Sequence, residues 1–336
     1  MVLPRALRSG FTLIELLVVI VIIAILIGLL SSGLGKARQT ARMIEEEVAI
    51  REQMQAYSTY LNNYKDRTLP AAPHWNWVHQ ANYATMYPPD PFVSGAFMWH
   101  TIAKVWTWHF IGATGYDRNR MMIDKDTNRE FLTHQRDMGS PGQYLDYPVD
   151  SYAALLAYHP SFGYNGAYVG GAYTEGAFRS GWPGPNPRVS GGDFYVTNAA
   201  NVRFADHLLV FASSRGGDEI QGGQWSWGES LPDGVSTIRP GYFMVHSPKP
   251  HPIDRGGDNQ AYSLGHGWSA PANANTFDAR MQPSYWGNLS ARHFGKVTTA
   301  MFDGHVEMQT LDQLRDMRRW SNFADRPDWN FVPASR

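Results

Sequence analysis

The spacing of apolar positions changes character along the chain. Residues 11–30, FTLIELLVVIVIIAILIGLL, carry only two polar side chains, Thr12 and Glu15. At about 1.5 Å per residue such a run spans about 30 Å as a helix, the thickness of a bilayer core. Leu34, Ala37, Ala41, Ile44 and Val48 then recur at intervals of three and four. After a two-residue slip, Ile50, Met54, Tyr57, Leu61 and Tyr64 do the same. Each set marks an apolar stripe on a helix. Glu45, Glu46, Glu47, Arg51 and Glu52 lie between the stripes and read as a solvated face. No proline intervenes between Pro4 and Pro70, and KDRTLPAAP (65–73) breaks the pattern. One helix is therefore expected from about 11 to 65, on the order of 80 Å long, with its outer half docked on a globular domain. Gly28, Gly33 and Gly35 fit either a local bend or close packing of helices.

Beyond residue 66 the pattern turns short and mixed. SYAALLAYHP (151–160) reads as a helix ended by Pro160, and FMWHTIAKVWTWHFIG (97–112) as a short buried helix or a strand. PSFGYNGAYVGG (160–171) reads as strand, Asn-Gly turn and strand, while HLLVFASS (207–214) and GYFMVHS (241–247) are strand candidates. GWPGPNPRVSGG and RGGDEIQGGQWSWG are loops. Asp303-Gly304 separates two β-prone runs, a hairpin signal. Pairing Phe302 with His305 would put Val297, Thr299 and Met301 on one face with Val306 and Met308. Thr310 and Gln313 resemble a capping box, with a helix from Leu311. These elements predict an α+β fold, a long amino-terminal transmembrane and stalk helix packed on a carboxy-terminal antiparallel sheet. The expected division is a leader (1–10), the helix (11–66) and an exterior domain (67–336).

Composition narrows the classes. The 336 residues carry a net charge of −1, which gives no support for nucleic acid held by bulk charge. There is no cysteine, hence no disulfide framework and no thiolate metal site. Twelve tryptophans and seventeen tyrosines suit a loop-rich, β-containing domain.

Glu15 is the informative residue of the amino terminus. A carboxylate inside hydrocarbon costs about 2.5–3.5 kcal/mol on insertion scales. No Lys or Arg lies three or four positions away along the helix, so a positive partner is expected from elsewhere, such as another copy. An ordinary anchor and a cleaved secretory signal are the simpler readings, but GLLSSGLGKAR offers no clean signal-peptidase site. Arg5 and Arg8 precede the span while Lys36, Arg38 and Arg42 follow it, so charge alone does not orient it.

GFTLIELLVVIVIIAIL, with the basic leader before it, closely resembles the amino terminus of type IV pilins and type II secretion pseudopilins over residues 5 to about 35. The resemblance implies cleavage between Gly10 and Phe11 by a prepilin peptidase, methylation of the new amino group of Phe11, and assembly with other pilin or pseudopilin subunits. It implies that Glu15 meets the amine of a neighbouring subunit and sets the register of the filament. The chain would span the inner membrane once, with its carboxy-terminal domain outside the cytoplasm. His293, followed after nine residues by Asp303-Gly304, resembles the H-X9-DG signature of pilin-like proteins abundant in some bacterial lineages, planctomycetes among them. An upstream GYN, here Gly163-Tyr164-Asn165, accompanies it in those families.

A His293–Asp303 catalytic dyad is disfavoured, because a strand over 296–302 spans about 23 Å; a turn at Asp303-Gly304 and a packing or capping role for His293 are preferred. His246, His251, Asp254 and Asp258 are candidate metal ligands, although their Gly- and Pro-rich setting favours a loop, and neither a metal nor another cofactor is expected. No nucleophile-elbow, HExxH or Walker motif is present, so no enzyme is expected. The leading reading is a prepilin-like structural subunit of a pilus or secretion pseudopilus. The alternatives are a membrane-anchored module binding glycans through HWNW, WTWH and QWSW, and a secreted hydrolase.

Overall fold

In a computed structural model the described residues are 13–71, 105–122, 159–171, 195–216, 241–253, 263–265 and 267–331. They form two compact units, Met1–Glu45 and Glu46–Arg336. Helix α1 (Leu13–Asn63) begins in the first and ends in the second. The helix ends where Lys65 and Asp66 enter left-handed backbone, just before Pro70.

In the second unit α1 supplies one wall of the core. Ile50, Met54, Tyr57 and Leu61 are buried as the second stripe predicts, joined by Ala49, Gln53 and Tyr60. The wall continues with α2 (Trp106–Thr114), which closes on left-handed Gly115. Of the 97–112 segment, residues 97–104 lie outside the described residues, as do 151–158, the GWPGPNPRVSGG loop and most of the RGGDEIQGGQWSWG loop.

A four-stranded antiparallel sheet, in the order β1 (Phe162–Tyr164), β2 (Leu209–Ser213), β5 (Lys296–Met301), β6 (Val306–Thr310), lies between two layers. A separate hairpin pairs β3 (His251–Ile253) with β4 (Ser263–Gly265). The central strands are covered on both faces, so β2 is buried throughout and β5 everywhere but Lys296. On one side Tyr57 meets Phe211 edge-on at 5.7 Å and Phe302 at 6.0 Å, with Trp106 5.2 Å from Phe211. On the other, Trp268, Trp286 and Trp320 cluster over Leu209, Val297 and Met301. Burial of each such aromatic contributes on the order of 1.5–3 kcal/mol. Three of these indoles are also anchored: the Trp106, Trp268 and Trp320 N–H groups donate to the carbonyls of Phe243, His246 and Leu314.

The structure corrects four local expectations. Strand β5 pairs Ala300 with Val306 and Thr299 with Glu307, one residue away from the expected register. The connection is a three-residue loop, Phe302-Asp303-Gly304, in which the Gly304 N–H donates to Met301 O and Met301 N–H to His305 O. Gly304 takes φ +95°, so the glycine closes a type I turn with a bulge rather than forming a two-residue turn. Val297, Thr299 and Met301 consequently share a face with His305, Glu307 and Gln309. Asn165-Gly166 makes no hairpin, because Asn165 Nδ2 is committed to Leu209 O and Trp320 O, both at 2.9 Å. The 241–247 segment makes a single bridge, Met244 with Tyr164. Thr310 and Gln313 exchange capping bonds, but the element they cap is one 3₁₀ turn, Gln313–Arg315.

Gly304→Ala tests the loop. No atom lies within 4 Å of an added Cβ, so only the left-handed backbone resists it, at about 1–2 kcal/mol. The expected result is a melting temperature lower by a few degrees, read by circular dichroism, with no loss of compactness.

Candidate functional site

Position 46 follows from the second stripe. Counting back four residues from Ile50 along α1 reaches Glu46, so the helical repeat that buries Ile50 and Tyr57 also turns this acid inward. Glu46 is 3% exposed, which corrects its placement on a solvated face; Glu45 stays exposed and Glu47 half-buried. Strand β2 and the segment before β5 meet it. Glu46 Oε2 accepts from His293 Nε2 at 2.7 Å and lies 2.9 Å from Arg292 Nε. The Arg292 N–H does not point at that oxygen, so this contact is an ion pair without a hydrogen bond. Ser213 Oγ donates to Oε1 and accepts from Thr298 N–H at 3.2 Å.

These partners set the charge of the site. Burial by itself raises the Glu46 pKa. The Arg292 guanidinium, the hydrogen bonds from His293 and Ser213, and the His293 charge outweigh it and hold the carboxyl at about 2, against an ordinary 4.5. Glu46 is thus ionised at neutral pH and fastens α1 to β2 and to the segment leading into β5.

His293 and Asp303 are not brought together. Six-residue β5 lies between them, about 20 Å of extended chain. Asp303 stands exposed in the hairpin loop, where Oδ1 accepts from His305 N–H at 3.0 Å and lies 2.7 Å from His305 Nδ1. The nine-residue interval is accounted for by a turn (His293 O accepting Lys296 N–H at 2.9 Å), one strand and the start of a loop. The GYN residues are structural as well. A Cβ on Gly163 would stand 2.9 Å from Tyr242 O, the Tyr164 hydroxyl donates to Leu69 O at 2.8 Å, and Asn165 ties β2 to the Trp320 segment.

His246 is buried, His251 starts β3, and Asp254 and Asp258 lie outside the described residues. Among the described residues no three His, Cys, Asp or Glu stand together as metal ligands. Trp106 is buried and Trp108 half-buried, so WTWH packs inward; HWNW and QWSW lie outside the described residues.

Gly10 and Phe11 precede the first described residue. Glu15 occupies the first turn of α1. The helix is long and apolar enough to cross a bilayer, and Leu13, Ile14, Leu16, Leu17, Ile20 and Ile22 are all more than half exposed. A core helix of a water-soluble domain would bury such residues. Residues 5–31 match the family described as "Prokaryotic N-terminal methylation motif". The match supports a type IV pilin-like protein. No curated protein and no solved structure matches the chain.

Proposed function

We propose that this chain is a prepilin-like structural subunit of a type IV pilus or a type II secretion pseudopilus. In this reading it is inserted in the inner membrane by residues 11–30, cut between Gly10 and Phe11, methylated on Phe11, and assembled with other pilin-like subunits. The observation that carries the reading is the methylation-motif match over residues 5–31 on a helix whose apolar surface is left uncovered. Cleavage creates an ammonium on Phe11, and a neighbouring subunit offers Glu15 to it. In a medium of low dielectric that attraction is large, although desolvation offsets much of it, and its best-supported use is to fix register. In this reading the role is structural: His293, Ser213 and the half-buried Arg292 each meet the buried Glu46 and hold the helix on the sheet.

The test is the mass of the mature amino terminus. A chain beginning at methylated Phe11 is expected, and Gly10→Ser is expected to leave it beginning at or near Met1. A native chain cut after residue 30 would overturn the reading in favour of a secreted protein.

A further inference from the structure

A cleft of about 290 Å³ opens in the second unit and shares no residue with the Glu46 cluster. That volume sits at the small end of ligand pockets, about 300–1,000 Å³, so it suits a single ring rather than an oligomer. Its walls come from the segment 195–203 and from Asn322-Phe323. Tyr195 and Val196 are buried and Phe323 is half-buried, whereas Thr197, Asn201 and Arg203 are exposed and form the mouth.

Hydrogen bonds fix both walls. Val196 O accepts from Gly170 N–H and from Thr68 Oγ1, each at 2.8 Å. Asn198 Oδ1 caps the 3₁₀ turn Ala199–Asn201 by accepting from Ala200 N–H at 2.8 Å. Buried Asn322 ties one wall to the other: its Oδ1 accepts from Arg203 N–H at 2.7 Å and its Nδ2 donates to Asn201 O at 2.9 Å. The Asn322 amide is thereby committed to backbone, and the group left to meet a ligand is the Arg203 side chain. Its guanidinium carbon lies 5.8 Å from the centre of the Phe323 ring, within cation–π range. It makes no ion pair among the described residues. No acid lines the cleft. The nearest acids along the chain are Asp206 and Asp325, and each has another partner: Asp206 lies 2.9 Å from His207 and Asp325 3.9 Å from Arg326. The lining therefore carries one positive charge and no negative one.

We propose that this cleft binds a uronic acid, a sugar ring bearing one carboxylate, with the carboxylate on Arg203 and the ring against the aromatic wall. A lone guanidinium forks onto a carboxylate and matches its single charge, whereas a phosphate dianion calls for further cations. Tyr195 and Phe323 offer apolar surface to the C–H face of a pyranose, and Thr197 and Asn201 offer a hydroxyl and an amide to its hydroxyl groups. A simple organic acid leaves those groups unused, and a neutral sugar leaves Arg203 unanswered. Because the walls are already held, little ordering opposes binding. The site uses no residue of α1 and does not depend on the assembly reading above.

The test is a titration of D-glucuronate into the full-length, detergent-solubilised protein, read by calorimetry and by saturation-transfer NMR. Glucuronate is expected to bind about ten-fold tighter than D-glucose or acetate, and Arg203→Gln to weaken it by about the same factor. Arg203→Lys keeps the charge without the fork and is expected to weaken it less. Lys296→Gln, an exposed cation outside the cleft, is expected to leave it unchanged. Arg203 is exposed, so its variants should keep the melting temperature of the unmutated protein, and lost binding then reports the site rather than the fold. The methyl glycoside of glucuronate separates the two sources of the ligand: equal binding assigns a unit of an acidic polysaccharide, exclusion the free acid. Absence of glucuronate binding overturns the proposal, as does binding that Arg203→Gln leaves intact. Acetate binding as tightly as glucuronate, or a hexose phosphate binding more tightly, overturns it too. None of these outcomes bears on cleavage at Gly10 or on assembly.

Discussion

Glu46→Gln is expected to destabilise the second unit by about 3 kcal/mol and to flatten its response to acid. Removing one partner of a buried pair usually costs about 3–5 kcal/mol, because the remaining charge is stranded. Here the lower end applies. The Arg292 side chain is 31% exposed and can turn to water. A second route gives the same size: a carboxyl held at about 2 instead of 4.5 corresponds to on the order of 3 kcal/mol. The sign follows from the depressed value. The unfolded chain takes up the Glu46 proton first, so the contribution is complete above about pH 4.5 and is lost as pH falls toward 2. Thermal melts of detergent-solubilised protein between pH 7 and pH 2 check this. The variant should melt several degrees lower at pH 7 and converge with the unmutated protein near pH 2. A constant gap across the range would show that packing, not charge, is what was lost. A double-mutant cycle with His293→Gln should show strong coupling, since the two side chains share one hydrogen bond.

The same residue shows where sequence reasoning stopped. The stripe Ile50, Met54, Tyr57, Leu61 was legible because tertiary burial and helical period agree there. Extending it back one turn lands on Glu46, but an acid inside a run of three acids reads as solvent-facing unless its partners are known, and those partners lie far along the chain at Ser213, Arg292 and His293. No local pattern carries that information. The hairpin was legible from Asp303-Gly304 for the matching reason that its cause is local. Its register was not, because Asp-Gly serves both a two-residue turn and a three-residue loop, and only the Gly304 and His305 hydrogen bonds to Met301 separate them. Asn165-Gly166 carries an equally strong local signal and makes no hairpin. Burial of Asn165 between β2 and the Trp320 segment gave its amide better acceptors than a turn offers. The α+β layout needed only period and composition; the charge cluster needed the fold.

Glu15 separates the two meanings of the amino-terminal helix more sharply than any other position. If the helix is only an anchor, the carboxylate costs about 2.5–3.5 kcal/mol on insertion, and Glu15→Ala should insert at least as well and leave nothing worse. If subunits associate through the pair between Glu15 and the Phe11 ammonium, the same change strands a cation in hydrocarbon at each junction. Taking about 3 kcal/mol for a pair broken on one side, the association constant falls about 100-fold, and the loss repeats at each subunit added. Glu15→Gln removes the charge while keeping the shape, so it should behave like Glu15→Ala if charge is what matters. The measurement divides each variant between a membrane fraction and a pelletable, detergent-sheared filament fraction. Both variants are expected to reach the membrane at normal levels, to be processed at Gly10, and to be depleted from the filament fraction. Processing is a necessary control, because an uncleaved chain has no ammonium at Phe11 for Glu15 to meet. Normal filament yield from a fully processed Glu15→Gln chain would remove the pairing role and return the helix to the status of a plain anchor.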